Sequence, residues 1–323
     1  MIKRITRILL LLQAGIAWAL FLALRRFGYI ENPWLAAALA CTIVISVRML
    51  IVANNFVLAR RFCTPAPPGC GLSFLQACRL FGNEFIASMV SSSWTLAFRT
   101  FADRPAPQAH GLPVLLVHGY GCNSGYWHSM SRQLLKSGIS HRGLDMEPIG
   151  ASIDVYAPQI EDAITQLCRD SRSDRVIIVA HSMGGLAARA FFRAYGAQRV
   201  AALITLGTPH SGSGLANFAP GENSRQMCWH GGADEGKPSR WLAALAAQEG
   251  PLLRARFVSI YSHHDNIVSP QSSAHLEYAR NIAFSGIGHV SLACHPAVQA
   301  QVIDEIRRIS EDSCAQIDGA KLA

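Results

Sequence analysis

Residues Arg175 to Arg189 read RVIIVAHSMGGLAAR, and this stretch decides the fold. Val176, Ile177, Ile178 and Val179 form a short, continuous, β-branched run, the pattern of a parallel strand covered on both faces. From Leu186 to Phe192 helix formers dominate. Between the two, Ala180, Gly184 and Gly185 are small enough for strand and helix to close on a tight turn with Ser182 at its tip. Such a turn lifts a Ser hydroxyl clear of the sheet, where a base can reach it. The usual pattern there is Gly-x-Ser-x-Gly. Here Ala180 stands first, giving Ala-His-Ser-Met-Gly, so the turn must leave room for one methyl group.

Around this centre, Val114 to Val117 reads as a strand, Trp127 to Leu135 as a helix, Ile153 to Ala157 as a strand and Ile160 to Leu167 as a helix. Beyond the turn come a strand at Val200 to Leu206, a polar, Gly-rich excursion from His210 to Ser239, and a helix near Trp241 to Gln248. Strands at Phe257 to Tyr261 and Asn281 to Phe284 and a helix from Pro296 to Ile309 follow. Strands alternating with helices predict an α/β fold built on a mostly parallel, doubly wound sheet.

A Ser hydroxyl is a poor nucleophile at neutral pH; it needs a base, and the base needs an orienting carboxylate. Asp265 ends the strand-like stretch FVSIYSHHD, and His289 lies in the Gly-flanked loop Gly286-Ile-Gly-His just before the last helix. The order Ser182, Asp265, His289 suits a triad at the carboxyl ends of successive strands. Asp234 and Glu235 are substitutes for the acid, but neither follows a strand. His263, His264, His275 and His295 compete for the base, though none sits in such a loop. His181 adjoins Ser182, is expected to point away from it, and reads as structural. Acyl transfer also needs two N–H donors for the oxyanion. Met183 supplies one, and Tyr120, in the loop Leu116-Val-His-Gly-Tyr-Gly121, supplies the other.

With these parts in place the sequence resembles the lipase and esterase branch of the α/β-hydrolases, from about Leu112 to Ala297. Leu206-Gly-Thr-Pro-His-Ser-Gly212 adds to the likeness. The resemblance implies ester hydrolysis through an acyl-enzyme on Ser182, with His289 as base and then acid and Asp265 orienting it. It also puts the excursion at about 210–240, with Met227, Trp229 and Trp241, in the position of a lid. Some members of the family bind calcium near the His, but the loop GIGHVSLACHP offers no carboxylates, so no metal and no cofactor are expected. An acyltransferase or thioesterase would use the same triad, and a non-catalytic membrane interaction protein is a third reading that the intact triad opposes.

The amino-terminal part is of another kind. Ile8 to Leu24 carries no charge, and Pro33 to Ala59 is apolar apart from Arg48. Two membrane helices are expected, with a single anchor or a cleaved signal peptide as alternatives. Of the net charge of +8, residues 1–61 carry +7, leaving the remainder nearly neutral. Basic residues beside apolar segments indicate a bilayer and not a nucleic acid. Lys3, Arg4, Arg7, Arg60 and Arg61 outnumber Arg25 and Arg26 of the connecting loop. Both termini and the catalytic domain are therefore expected on the cytoplasmic face of a bacterial inner membrane. Nine scattered cysteines without zinc spacing agree with a reducing compartment. The expected organisation is an anchor at 1–61, a Pro-rich linker and amphipathic helix at 62–110, the hydrolase domain at 111–310 and a tail at 311–323. The amphipathic helix, Leu72 to Phe101, is expected to pack on the hydrolase domain in preference to the bilayer, and the anchor to serve only substrate access.

Overall fold

The computed structural model describes residues 1–233 and 235–322, and side chains through Ser313. Seven strands form one sheet: β1 (Asp103–Arg104), β2 (Val114–Val117), β3 (His141–Leu144), β4 (Val176–His181), β5 (Val200–Leu206), β6 (Phe257–Ser262) and β7 (Arg280–Phe284). Their order is β1-β3-β2-β4-β5-β6-β7, parallel throughout except for the antiparallel edge strand β1. The principal helices are α1 (Ile2–Arg26), α2 (Pro33–Ala59), α3 (Phe74–Val90), α4 (His128–Lys136), α5 (Tyr156–Ser171), α6 (Met183–Tyr195), α7 (Arg240–Ala247) and α8 (Pro296–Leu322).

Alternation along each strand divides the core into two layers. Leu115, Val117, Ile178, Ala180 and Leu203 pack with Ile160, Ile164 and Leu167 of α5 and Leu186 of α6. Val114, Leu116, Ile177, Val179 and Ile204 face the other way, against Met130 and Leu134 of α4 and Val298, Val302 and Ile306 of α8. The chain leaves β2 for β3 on one side and then crosses to β4 on the other. The reversal of strand order falls between β2 and β4, where an open α/β sheet forms a crevice at its carboxyl edge.

The structure differs from the sequence reading at three places. Ile153 to Ala157 is not a strand: Ser152 caps a short 3-10 turn at Ile153–Val155, and α5 begins at Tyr156, continuing the helical spacing of Ile160, Ala163, Ile164 and Leu167. The neighbouring strand is His141–Leu144, which has little apolar pattern of its own and is held by pairing with β2. The last helix, expected to end at Ile309, runs on as α8 to Leu322.

α1 and α2 pair as a hairpin, and both are long and apolar enough to cross a membrane. Leu11, Trp18 and Trp34 are among many large apolar residues exposed on them. The hairpin is nevertheless not a free-standing anchor. Ser269 Oγ donates to the carbonyl of Ala59 (2.8 Å), the N–H of Thr64 to Gln271 Oε1 (3.1 Å), and Arg7 Nε to the carbonyl of Ala97 (3.0 Å). The expected amphipathic helix runs as α3, one π-helical turn at Ser91–Thr95 and a last turn at Leu96–Phe98. It buries Glu84, whose carboxylate meets Val290 and Ser291 of the α/β domain, and Leu80, while Phe74, Leu75, Ile86, Val90 and Trp94 are exposed. One side packs as expected, and the other exposes large apolar side chains.

Candidate active site

Ser182 ends β4 with φ 54° and ψ −127°, a conformation that costs a non-glycine residue about 1–3 kcal/mol and that its surroundings impose. Its N–H donates to the carbonyl of Leu206 (2.9 Å), and its carbonyl accepts from Gly185 N (3.0 Å) and Thr208 Oγ1 (2.9 Å). The small residues of the turn are required by contact. A Cβ on Gly184 would lie 2.5 Å from the carbonyl oxygens of Val117 and His118, and one on Gly185 would lie 2.1 Å from Thr208 Oγ1.

His289 and Asp265 meet behind this turn. His289 Nδ1 lies 2.8 Å from Asp265 Oδ2, which requires the proton on Nδ1 and leaves Nε2 free to accept one. Asp265 Oδ1 in turn accepts the N–H groups of Ile267 and Val268, both at 2.8 Å, so the carboxylate is fixed in its own turn. Asp265 and His289 are 3% and 4% exposed. Burial pulls the pKa of His289 down, but the charge and hydrogen bond of Asp265, helped by the charge of Glu84, outweigh it and leave the group above its ordinary value. Gly207, at φ 53°, is open to no other residue: its Cβ would lie 3.1 Å from Asp265 Oδ2 and 3.3 Å from His289 Nδ1.

The loop after β2 passes directly against the elbow. A Cβ on Gly119 would come within 2.9 Å of Ser182 Cβ, and Gly121 takes the left-handed φ of 65° that turns the chain inward. Among the described residues, the N–H groups of Tyr120 and Met183 have no hydrogen-bond partner in the chain, and Tyr120 borders both cavities that Ser182 borders.

Of the alternatives, Glu235 lies exposed in the excursion and Asp234 lies outside the described residues. His263, His264, His275 and His295 border neither cavity at Ser182; His264 instead accepts the N–H of Gly286 (3.1 Å). His181 does not simply point away. Its Nε2 donates to the carbonyl of His289 (3.1 Å), and burial holds its pKa well below the ordinary value, so it acts as a neutral strut for the base.

Glu84 of α3 was not legible as part of the site. Its carboxylate is fully buried and accepts the N–H groups of Val290 (2.9 Å) and Ser291 (3.0 Å), the two residues after His289. Gly288 has no room for a Cβ because Glu84 Oε2 would lie 2.5 Å away. Burial raises the pKa of this carboxyl, partly offset by those two N–H groups and by His289. The signal available in the sequence is slight: Glu84 is the single acid of a mostly apolar helical run that also carries Gln76, Arg79 and Asn83.

Ser182 opens to two cavities. The first, about 480 Å³, lies between Ser182, His289 and Tyr126 on one side and α1, α2 and α3 on the other, including Gln13, Arg48, Ile51, Val52, Phe85 and Met89. The second, about 360 Å³, lies between α2 and the excursion, from Asn54, Asn55 and Leu58 to Leu215, Phe218 and Met227. Two expectations change here. The excursion covers only the second cavity, and of its three expected lid residues Met227 alone borders it; Trp241 Nε1 is turned to Asp154 Oδ2 (2.9 Å). The hairpin, expected to stand apart from the site, instead forms walls of both cavities that Ser182 borders.

Comparison with known proteins agrees with this architecture. A family profile described as alpha/beta hydrolase fold matches residues 113–224. A triacylglycerol lipase of Burkholderia plantarii is 29% identical over 144 residues, covering 41% of this chain and 37% of that protein. A triacylglycerol lipase of Pseudarthrobacter phenanthrenivorans is 30% identical over 119 residues, covering 33% of this chain and 35% of its own length. The chain therefore spans little more than a third of either relative. Among solved structures, the mature lipase BlEst2 of Bacillus licheniformis superposes with a TM-score of 0.51 at 19% identity, over 60% of this chain and 91% of that one. Lipase B of Aspergillus fumigatus gives 0.52 at 16% identity, over 76% and 64%. The chain has the α/β-hydrolase fold.

Proposed function

We propose that this α/β-hydrolase is a membrane-anchored carboxylester hydrolase that cleaves lipid-like acyl esters through Ser182, His289 and Asp265. The observation that carries the reading is the strained Ser182 opening onto the same apolar cavity as His289, whose ring is held by Asp265. In the first step His289 Nε2 takes the proton of Ser182 as its Oγ attacks the ester carbonyl. The tetrahedral oxyanion is held by the N–H groups of Tyr120 and Met183. Collapse expels the alcohol, protonated by His289, and leaves an acyl-enzyme that water cleaves by the same route in reverse. The two cavities suit the two products, one for the acyl chain and one for the alcohol.

Residues 1–61 insert in the bilayer as a hairpin, with the hydrolase domain on the side of both hairpin ends; the positive charges there assign that side to the cytoplasm. The apolar outward face of α3 lies on the bilayer beside the hairpin, so an ester enters the first cavity from the membrane and not from water. The name carried by the two relatives supports an acyl-ester substrate. The test is turnover of p-nitrophenyl esters of two to twelve carbons by the full-length chain in a neutral detergent. Hydrolysis that disappears in Ser182→Ala is expected. No hydrolysis at any chain length overturns the reading.

A further inference from the structure

One face of α2, made of Arg48, Ile51, Val52 and Asn55, lines the first cavity at the i, i+3, i+4 and i+7 spacing of a single helical stripe. Arg48 is the one permanently charged side chain among all the residues lining that cavity. It stands within an apolar helix, where a charge is costly and marks a functional site by default. Its guanidinium donates from Nη1 to Ser93 Oγ (2.7 Å) and Gln13 Oε1 (3.4 Å), and from Nη2 to Ser92 Oγ. All three acceptors are neutral, and among the described residues no carboxylate pairs with it. The contrast is Arg189, fully buried in the fold, which holds both oxygens of Glu249 at 2.7 and 2.8 Å, whereas Arg48 is half-buried and holds none.

The surroundings of Arg48 add hydroxyls and little else that is polar. The π-helical turn at Ser91–Thr95 widens the helix so that Ser91 and Ser92 border the cavity together with Ser88. A guanidinium with unused N–H groups, set among rotatable hydroxyls in a cavity also lined by Phe85, Met89 and Ile51, suits a phosphoryl group attached to an apolar chain. Along α2 the step from Arg48 to Asn55, which borders both cavities, is about 10 Å. A glycerophospholipid, which carries its phosphate only a few bonds from its ester carbonyls, spans a distance of that order.

We infer that the Arg48 corner binds the phosphoryl group of an acyl ester drawn from the bilayer, a glycerophospholipid or its lyso form, while Ser182 addresses the ester. The inference rests on the hydrolase reading for the fate of the ester, but not for the binding of the anion.

The test uses the full-length chain in neutral detergent with hexyl phosphate, 1-hexanol and inorganic phosphate as competitors of p-nitrophenyl butyrate. Hexyl phosphate is expected to bind at least about tenfold more tightly than 1-hexanol, and inorganic phosphate, which has no chain, more weakly than hexyl phosphate. Arg48→Gln should erase the preference for hexyl phosphate over 1-hexanol, and Arg48→Lys should keep part of it. Equal inhibition by hexyl phosphate and 1-hexanol in the unaltered chain overturns the inference, whether or not Arg48→Gln folds. Parallel weakening of both compounds in a folded Arg48→Gln also overturns it, since Arg48 would then only fasten the hairpin. Tighter binding of inorganic phosphate than of hexyl phosphate assigns the site to free phosphate and overturns the lipid assignment. Absence of butyrate turnover overturns the hydrolase reading instead, and calorimetric titration of hexyl phosphate into the same protein then decides the anion site alone.

Discussion

Glu84→Gln tests whether a carboxylate on α3 positions the base. In the native site both oxygens of Glu84 accept backbone N–H groups that follow His289, at 2.9 and 3.0 Å, in a fully buried setting. An amide of the same shape keeps one of these acceptors and turns an N–H₂ toward the other donor. The loss is one hydrogen bond to a charged acceptor, about 1.5–3 kcal/mol, and a buried N–H left without a partner. Displacement of the imidazole by about 1 Å costs on the order of 10²-fold in rate, so kcat should fall about 10- to 100-fold with KM changed far less. A second readout separates positioning from bulk destabilisation. The His289 imidazole must be neutral to act as base, so activity rises as pH passes its pKa, which Asp265 and Glu84 together hold above about 6.5. Removing the Glu84 charge takes away part of what favours the imidazolium, so the acid limb of kcat/KM should move to lower pH. Glu84→Asp, which keeps the charge on a shorter arm, should lose rate but leave that limb nearly in place. The assay is a pH series of p-nitrophenyl butyrate hydrolysis. Unchanged kcat and an unchanged acid limb in Glu84→Gln would refute the reasoning.

Three further outcomes follow from the same geometry. Asp265→Asn should keep the fold by circular dichroism and lower kcat by about 10⁴-fold, because the imidazole loses both its orienting anion and its tautomer; near-normal turnover would remove Asp265 from the role. Gly119→Ala should cut kcat by at least about tenfold, since its Cβ would sit 2.9 Å from Ser182 Cβ and push the Tyr120 loop away; a fully active variant would show that this loop does not serve the oxyanion. Removal of residues 1–71 should abolish turnover of even a soluble short-chain ester, because it strips the walls contributed by Gln13, Arg48, Ile51, Val52 and Asn55 and the tie from Ala59 to Ser269. A truncated chain with full activity on that ester would restore the picture of two independent modules.

Much of this site was legible because its physics is local. The run at 176–179, the small residues around Ser182 and the glycines beside His289 and Tyr120 each record a steric demand that sequence spacing exposes. Asp265 and His289 could be read from chain order, since the fold brings the carboxyl ends of successive strands to one edge. What escaped is held by distant partners. His141–Leu144 is a strand because β2 pairs with it, not because of its own pattern. Ile153 to Ala157 looked like a strand because a short apolar run has no period of its own, whereas the Ser152 cap and the later helical spacing belong to α5. Glu84 is the single acid of α3 and Arg48 the single charge of α2. Only the packing of those helices over Ser182 distinguishes them from residues facing solvent or lipid headgroups.

The central claim is that Ser182 is the nucleophile of an acyl-transfer site. It is tested most directly by treating the full-length protein with a fluorophosphonate and locating the adduct by mass spectrometry. Stoichiometric modification of Ser182, lost in Ser182→Ala and slowed in Asp265→Asn, is the predicted result. An adduct on any other hydroxyl, or labelling that persists in Ser182→Ala, would contradict it.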